Sequence, residues 1–158
     1  MTQINVTTWN VRGMHTPSRR YSVYSYLKRH STNIAYLQET HLTQSETQKL
    51  QKRWRGQVYA TSYLSFARGA MIWIRPGVPF TAEDQLIDPE GRYVLVQGML
   101  DGRQILLGCI YAPNVDHKSF FNSLSSKLFK SSGCPWLLGG DFNSVLDTSL
   151  DRSFPPLP

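Results

Sequence analysis

The sequence predicts an α/β layered sandwich with sheets of mixed direction rather than one purely parallel sheet. Three observations carry this expectation. Strand-like and helix-like stretches alternate as far as Trp54, five strand-like runs then follow one another, and a helix and a strand close the pattern. Strands interleaved with helices in that order suit helices packed against the faces of mixed sheets.

The elements follow from local patterns. Ile4, Val6 and Thr8 alternate with Asn5, Thr7 and Trp9, the period-two signature of a strand, and Val11-Arg12-Gly13 ends it. From about Ser18 to His30, Val23, Tyr24 and Leu27 recur at helical spacing, with Arg19, Arg20, Lys28 and Arg29 around them. Residues 33–38 contain Ile34-Ala35-Tyr36-Leu37 and read as a short buried strand. Thr43 and Glu46 stand at the spacing of a capping box, which starts a second helix running to about Trp54.

Five strand-like runs follow, at 58–63, 70–74, 80–87, 93–98 and 104–111, separated by Arg68-Gly69, Pro76-Gly77, Pro89-Glu90-Gly91 and Asp101-Gly102. Asp101-Gly102, flanked by apolar runs, is the strongest hairpin signal. Residues 116–131 read as a helix with Phe120, Phe121, Leu124, Leu128 and Phe129 on its apolar face, and Trp136-Leu137-Leu138 as one more buried strand. Three prolines among residues 154–158 can continue neither a helix nor a central strand. One domain over 1–153 and a proline-rich tail over 154–158 are therefore expected.

With 158 residues, an apolar fraction of 41% and a charged fraction of 18%, the chain has the composition of an ordinary globular domain rather than a disordered one. Seventeen Lys and Arg against eleven Asp and Glu leave a net charge of +6, which favours polyanionic partners. No apolar run approaches the ~20 residues that cross a bilayer, so no membrane partner is expected, and the start lacks a signal-peptide pattern. Cys109 and Cys134 read as buried free thiols, which fits an intracellular, reducing compartment.

Several polar residues fall at predicted strand ends: Asn10, Glu39, Tyr111, Asp141 and Asn143. Strand ends are where side chains distant in sequence converge beside a sheet. Two carboxylates, two amides and a phenol meeting there have the chemistry to handle a metal-bound phosphate, and oxygen ligands suit Mg²⁺. Taken singly, each has an ordinary structural explanation. Asn10 suits a turn, Glu39 a solvated loop, Tyr111 the rim of a core, and Asp141 an Asx contact after Gly139-Gly140. His15, His30, His41 and His117 show no metal-ligand spacing and read as solvent or packing residues, and Asp147 and Asp151 as surface or turn acids.

The set and order of the motifs go further. Thr8-Trp9-Asn10-Val11-Arg12-Gly13, Gln38-Glu39-Thr40-His41, Ile110-Tyr111-Ala112-Pro113-Asn114 and Gly140-Asp141-Phe142-Asn143 resemble successive signatures of the endonuclease/exonuclease/phosphatase superfamily, which includes DNase I, exonuclease III and the apurinic/apyrimidinic endonucleases. Gln38-Glu39-Thr40-His41-Leu42, the 69–74 strand, Glu90-Gly91-Arg92-Tyr93 and Leu150-Asp151-Arg152-Ser153 are similar, more finely, to the endonuclease of vertebrate LINE-type retrotransposons.

The resemblance implies a four-layer α/β sandwich of the DNase I type and a DNA-nicking phosphodiesterase. Glu39 would be the principal Mg²⁺ ligand with Asn10 beside it, Mn²⁺ being the alternative ion. Tyr111 would support the scissile phosphate, Asp141 would orient or activate the attacking water, and Asn143 would hold the phosphate. DNA would be the partner, through backbone contacts with weak sequence preference, and the location nuclear if the chain is expressed. The family pattern continues with a later Asp and a Ser-Asp-His triplet that have no counterpart in this sequence. Part of the second sheet and the C-terminal strands are accordingly expected to be missing, leaving an exposed edge, loose packing and impaired catalysis. Two other functions stay open: a same-fold phosphodiesterase acting on inositol phosphates or sphingomyelin, and an inactive retroelement remnant with weak DNA affinity. In the latter, Arg19, Arg20, Lys28, Arg29, Lys49, Lys52, Arg53 and Arg55 would either touch phosphate or simply form solvated helix faces. Oligomeric state and target-site preference are not legible.

Overall fold

The computed structural model describes residues 3–130 and 133–144, apart from the side chain of Phe129. The Leu150–Ser153 motif, Asp147, Asp151 and the proline-rich tail lie outside the described residues.

The chain opens with β1 (Val6–Asn10), α1 (Pro17–Arg29) and β2 (Ile34–Gln38), a unit whose two strands are parallel. Strand β1 begins two residues later and ends one residue later than its alternation suggested. Its parallel register runs from Val6 opposite Ile34 to Asn10 opposite Gln38, while Asn5 O is taken by the Asn33 and Ile34 N–H groups ahead of β2. Asn10 is thus the last residue of the strand rather than the first beyond it. Helix α1 starts at Pro17 because Thr16 caps it, its hydroxyl accepting from Arg19 N at 3.3 Å, and Pro at the first helical position forfeits only an N–H that has no helical partner. Helix α2 (Gln44–Arg53) carries the expected capping box in full: Thr43 N donates to Glu46 Oε2 at 2.8 Å and Glu46 N to Thr43 Oγ1 at 3.4 Å.

β3 (Gln57–Ala60) is shorter than expected, and β4 (Ala70–Ile74) and β5 (Phe80–Ile87) match expectation. β6 (Tyr93–Leu100) and β7 (Arg103–Tyr111) meet at the Asp101-Gly102 turn, both of whose residues have positive φ, as a tight hairpin requires. Helix α3 (His117–Phe129) leads to β8 (Trp136–Asp141), which extends past Leu138 because it pairs in parallel with β7 as far as Tyr111 opposite Asp141.

These strands form two four-stranded sheets, ordered β1-β2-β4-β3 and β5-β6-β7-β8. Each is mixed: β1–β2 and β7–β8 are parallel, the other pairs antiparallel. Three apolar cores hold the layers together. Ile34, Tyr36, Ile72, Val94, Val96 and Leu107 fill the space between the sheets. Val23, Leu27, Leu50 and Trp54 seal α1 and α2 against Leu37, Met71 and Trp73 on the outer face of the first sheet. Leu124 and Leu128 seat α3 on the second sheet beside Leu95, Leu106 and Ile110. The architecture is therefore helix, sheet, sheet, helix. Burying a Leu such as Leu27 contributes about 1.5–3 kcal/mol, so the outer helices are held by apolar contact rather than by propensity.

Among the described residues, β1 and β8 are sheet edges that lie beside one another, with Val6, Trp136 and Phe142 partly exposed nearby. Among them too, no helix is long and apolar enough to cross a membrane. Cys109 is fully buried as expected, whereas Cys134 is only half-buried. Arg19 and Arg20 correct the reading of α1 as a plain solvated face. Arg19 donates to Val11 O at 2.8 Å and Gly13 O at 3.3 Å, and Arg20 to His15 O at 2.6 Å. The loop after β1 turns through Arg12 and Gly13 at positive φ, which aims its carbonyls at the first turn of α1, a turn with no acid of its own.

Candidate active site

The two parallel pairs decide where the polar strand-end residues go. In the first sheet β1 and β2 both run toward the same end, which brings Asn10 beside Gln38 and hence next to Glu39. In the second, β7 and β8 do the same with Tyr111 and Asp141. Because β1 and β8 abut, the two sheets deliver all four residues to one rim.

Asn10 joins them. Its Nδ2 donates to Glu39 Oε1 at 2.9 Å and to Asp141 Oδ2 at 3.1 Å, while its Oδ1 accepts from Arg12 N at 3.1 Å. One NH₂ group has two protons, enough for one carboxylate each. The Tyr111 phenol lies close enough to the Glu39 carboxylate to feel its charge. Asn143 is fixed twice, its backbone N–H donating to Asp141 Oδ1 at 3.1 Å and its side chain to Ala112 O at 2.7 Å. All five expected residues are thus brought together. Asn10, Asp141 and Asn143 line an open cleft of about 620 Å³, along with Thr8, Trp9 and Gln38.

The backbone that presents these groups is unusual. Arg12, Glu39, His41 and Asn143 all have φ between 45° and 54° without being glycine. Such residues are uncommon, and each costs of order 1 kcal/mol unless its surroundings fix it. Here they do: Gly13 N donates to Glu39 O at 2.7 Å, Met14 N to Thr40 O at 2.9 Å and His41 N to Arg68 O at 2.9 Å. Before Asp141, a Cβ on Gly140 would collide with Ile110 O, so only glycine lets β8 approach β7 closely enough to carry the carboxylate to the rim.

Two residues of the site were not singled out from the sequence. Arg92 lies with its guanidinium 5.1 Å from the centre of the Tyr111 ring. Its motif, Glu90-Gly91-Arg92-Tyr93, was visible, but nothing in it signalled proximity to residue 111. His41 corrects its reading as a bystander, since its Nε2 is 3.7 Å from Glu39 Oε2. The available signal was its position two residues after Glu39.

The electrostatics follow from partial burial. Burial raises the Tyr111 phenol above its ordinary range, and the adjacent Glu39 charge raises it further, so Tyr111 keeps its proton and can donate it in a hydrogen bond. Burial lowers the His41 imidazole, an effect Glu39 opposes and His15 reinforces. At neutral pH the His41–Glu39 contact therefore pairs a carboxylate with a neutral ring, although its distance alone resembles an ion pair. Burial and the charge of Arg68 lower Arg92.

The donor set suits a hard divalent cation. Asp141 offers carboxylate oxygens to an open cleft and Glu39 is joined to it through Asn10, which lines the cleft, and Mg²⁺ commonly binds through one or two carboxylates while keeping its waters. Among the described residues no three His, Cys, Asp or Glu side chains are grouped to cage a metal. In the arrangement seen, the Asn10 amide nitrogen, not its oxygen, faces the acids.

Comparison with known proteins places this geometry. The chain is 29% identical over 164 residues to a transposon TX1 uncharacterized 149 kDa protein of Xenopus laevis, an alignment covering 96% of this chain and 12% of that protein. It thus spans about an eighth of the relative's length. Among solved structures it shares its fold with a humanized D. rerio TDP2 (18% identity, TM-score 0.67, covering 90% of this chain and 67% of the other). It does so equally with D. rerio TDP2 complexed with a single-strand DNA product (17%, 0.64, 90% and 61%) and with the endonuclease domain of TRAS1, a telomere-specific non-LTR retrotransposon (14%, 0.63, 90% and 60%). The model of the Endonuclease/Exonuclease/phosphatase family matches residues 7–157, a stretch that runs from β1 through every residue of the rim, and the chain belongs to that family.

Proposed function

We propose that this domain is a Mg²⁺-dependent phosphodiester hydrolase that nicks DNA, as part of a LINE-type retroelement. The observation that carries the reading is the Asn10 amide holding Glu39 and Asp141 together from two different sheets. Phosphodiester hydrolysis needs charge stabilisation at the phosphoryl oxygens and a placed water, and two carboxylates at one rim can divide those tasks. The transposon relative, the non-LTR retrotransposon endonuclease neighbour and the net charge of +6 support DNA over a phospholipid headgroup.

In this reading Glu39 holds the cation, with Asn10 beside it, and Mn²⁺ is the alternative ion. Bound there, the ion supplies a Lewis acid to the phosphoryl oxygen. Tyr111 is neutral, and its single hydroxyl proton, beside Glu39 when no substrate is bound, turns to the phosphate when one is. Asp141, its Oδ1 fixed by Asn143 N, accepts a proton from the attacking water, and Asn143 supports the phosphate. The substrate is chromosomal DNA, and the protein works in the nucleus.

Cleavage by these 158 residues alone is proposed to be weak, because no histidine among the described residues hydrogen-bonds Asp141 and the family's Ser-Asp-His triplet has no counterpart in the sequence. That observation also favours a second reading, an inactive domain that retains DNA affinity. The test is Mn²⁺ binding by electron paramagnetic resonance beside plasmid nicking in Mg²⁺. One tight site, lost in Glu39→Gln and weakened in Asp141→Asn, is expected with slow nicking lost in both. Cation binding that survives Glu39→Gln would sink the metal assignment. A bound ion with no nicking at all would select the inactive reading.

A further inference from the structure

The net positive charge of the chain is not spread over the fold. Helix α1 carries four cations and no acid, and α2 carries three cations and one acid, so these two helices together hold +6, equal to the net charge of the whole chain. The one acid, Glu46, is occupied: it closes the α2 capping box and stands 4.0 Å from Arg20. The remaining cations are exposed along the outer helical layer, on the face of the first sheet away from the second.

Between the two helices runs a groove of about 320 Å³ with an aromatic floor. Tyr24 and Trp54 lie with ring centres 5.0 Å apart, and Leu50 completes the bottom. Tyr21, 73% exposed, stands at the mouth, with Lys49 and Arg53 on the rim. Polar neutral side chains would make a simple surface cleft. Here the rim is cationic and the floor is planar and apolar, two chemistries that a nucleotide satisfies together. A base stacks on aromatic faces while flanking phosphates meet lysine and arginine. An acidic peptide would satisfy the rim and leave the floor unused.

We infer that the α1–α2 groove is a second nucleic-acid site, which takes an unpaired nucleotide of a single strand against Tyr21 and Tyr24, over the buried Trp54, and its neighbouring phosphates on Lys49 and Arg53. The choice of nucleic acid among polyanions rests partly on the phosphodiesterase reading of the cleft, but the binding does not. The site has a physical rationale: two carboxylates at the catalytic rim repel a phosphodiester strand, and the helical layer supplies the attraction the rim lacks.

The experiment uses the whole chain in EDTA, so that no metal-bridged contact at the cleft contributes, and follows fluorescence anisotropy of a labelled oligothymidylate across a salt series. Charge reversal of two exposed residues, Lys49→Glu with Arg53→Glu, is expected to weaken binding at least about tenfold and to lower the slope of log affinity against log salt by roughly 1.4, the counterion release of two single-strand phosphates. Tyr21→Ala is expected to weaken it about fivefold or more. Circular dichroism should show the fold intact in each variant. Wild-type affinity in the double reversal would overturn the site. So would equal displacement of the oligonucleotide by polyglutamate of matched charge. Failure of Mn²⁺ binding at the cleft would leave this result standing, so the two readings fail separately.

Discussion

Asn10 and Asp141, 131 residues apart in sequence, are joined by a hydrogen bond of 3.1 Å from amide Nδ2 to carboxylate Oδ2. The same nitrogen donates to Glu39 at 2.9 Å, so one neutral amide keeps two acids from repelling each other across the seam between the sheets. Asn10→Asp replaces both donors by a third carboxylate. In EDTA this variant is expected to be less stable than the parent by about 1–3 kcal/mol. Adding Mg²⁺ should recover most of that loss, since a cation offsets three acids better than two. Thermal melts with and without the ion measure both. Unchanged stability in EDTA would mean that the amide does not hold the acids together.

How much of this arrangement was readable beforehand depends on the range of the interactions. The capping box at Thr43 and Glu46, the Asp101-Gly102 hairpin and the 70–74 and 80–87 strands are set by neighbours a few residues away, and the sequence displayed them. The five rim residues were found through the order of their motifs. Their convergence, however, depends on two parallel pairings in different sheets, which no local pattern contains. The carbonyl clamp made by Arg19 and Arg20, and Arg92 against Tyr111, escaped for the same reason. A cation's partner can be a backbone oxygen or a ring brought up by a distant turn, and composition records only the charge.

Gly140 tests whether close packing of β7 and β8 sets the position of Asp141. A methyl group there would overlap Ile110 O, a backbone atom that cannot move without displacing the strand. Gly140→Ala is expected to cost roughly 2–4 kcal/mol in urea denaturation. Gly77→Asn is the contrasting substitution, because its φ of 90° is within reach of asparagine and nothing lies within 4 Å of an added Cβ. It should change stability by less than about 0.5–1 kcal/mol. Equal costs at the two positions would contradict the packing argument.

Arg92, Tyr111 and Glu39 form a short chain of contacts that ends on a carboxylate of the rim. Tyr111→Phe removes the hydroxyl beside Glu39 and should cost about 0.5–1.5 kcal/mol. Arg92→Ala removes the cation beside the ring. If the guanidinium acts mainly through the Tyr111 ring, a double-mutant cycle with Tyr111→Leu, which removes the ring, should return a coupling of about 0.5–1 kcal/mol. Strict additivity in the double variant would show that the guanidinium does not act through Tyr111.

Cys109 offers a test of the core between the sheets by pH. Its thiol is fully buried, accepts from Gln38 Nε2 at 3.5 Å and donates to Leu37 O at 3.4 Å. Burial pushes it up to about 12 from an ordinary value of 9.0. The sign follows from proton counting. Above pH 9 the unfolded chain releases this proton while the native one keeps it, so the stabilisation, complete below that pH, is lost as pH rises toward 12. The loss from this group is up to about 1.4 kcal/mol per pH unit. Tyr36, also raised by burial, adds a similar loss above its ordinary value of 10.0, so the clean window for the thiol lies between pH 9 and 10. Urea denaturation across that window should show a falling stability in the parent and a flatter line in Cys109→Ala, whatever the variant's absolute stability. In a Cys134→Ser background, reaction of Cys109 with a thiol reagent should proceed only at the rate of global opening. Fast labelling under native conditions, or parallel slopes for parent and variant, would place Cys109 nearer to solvent than the two-sheet core allows.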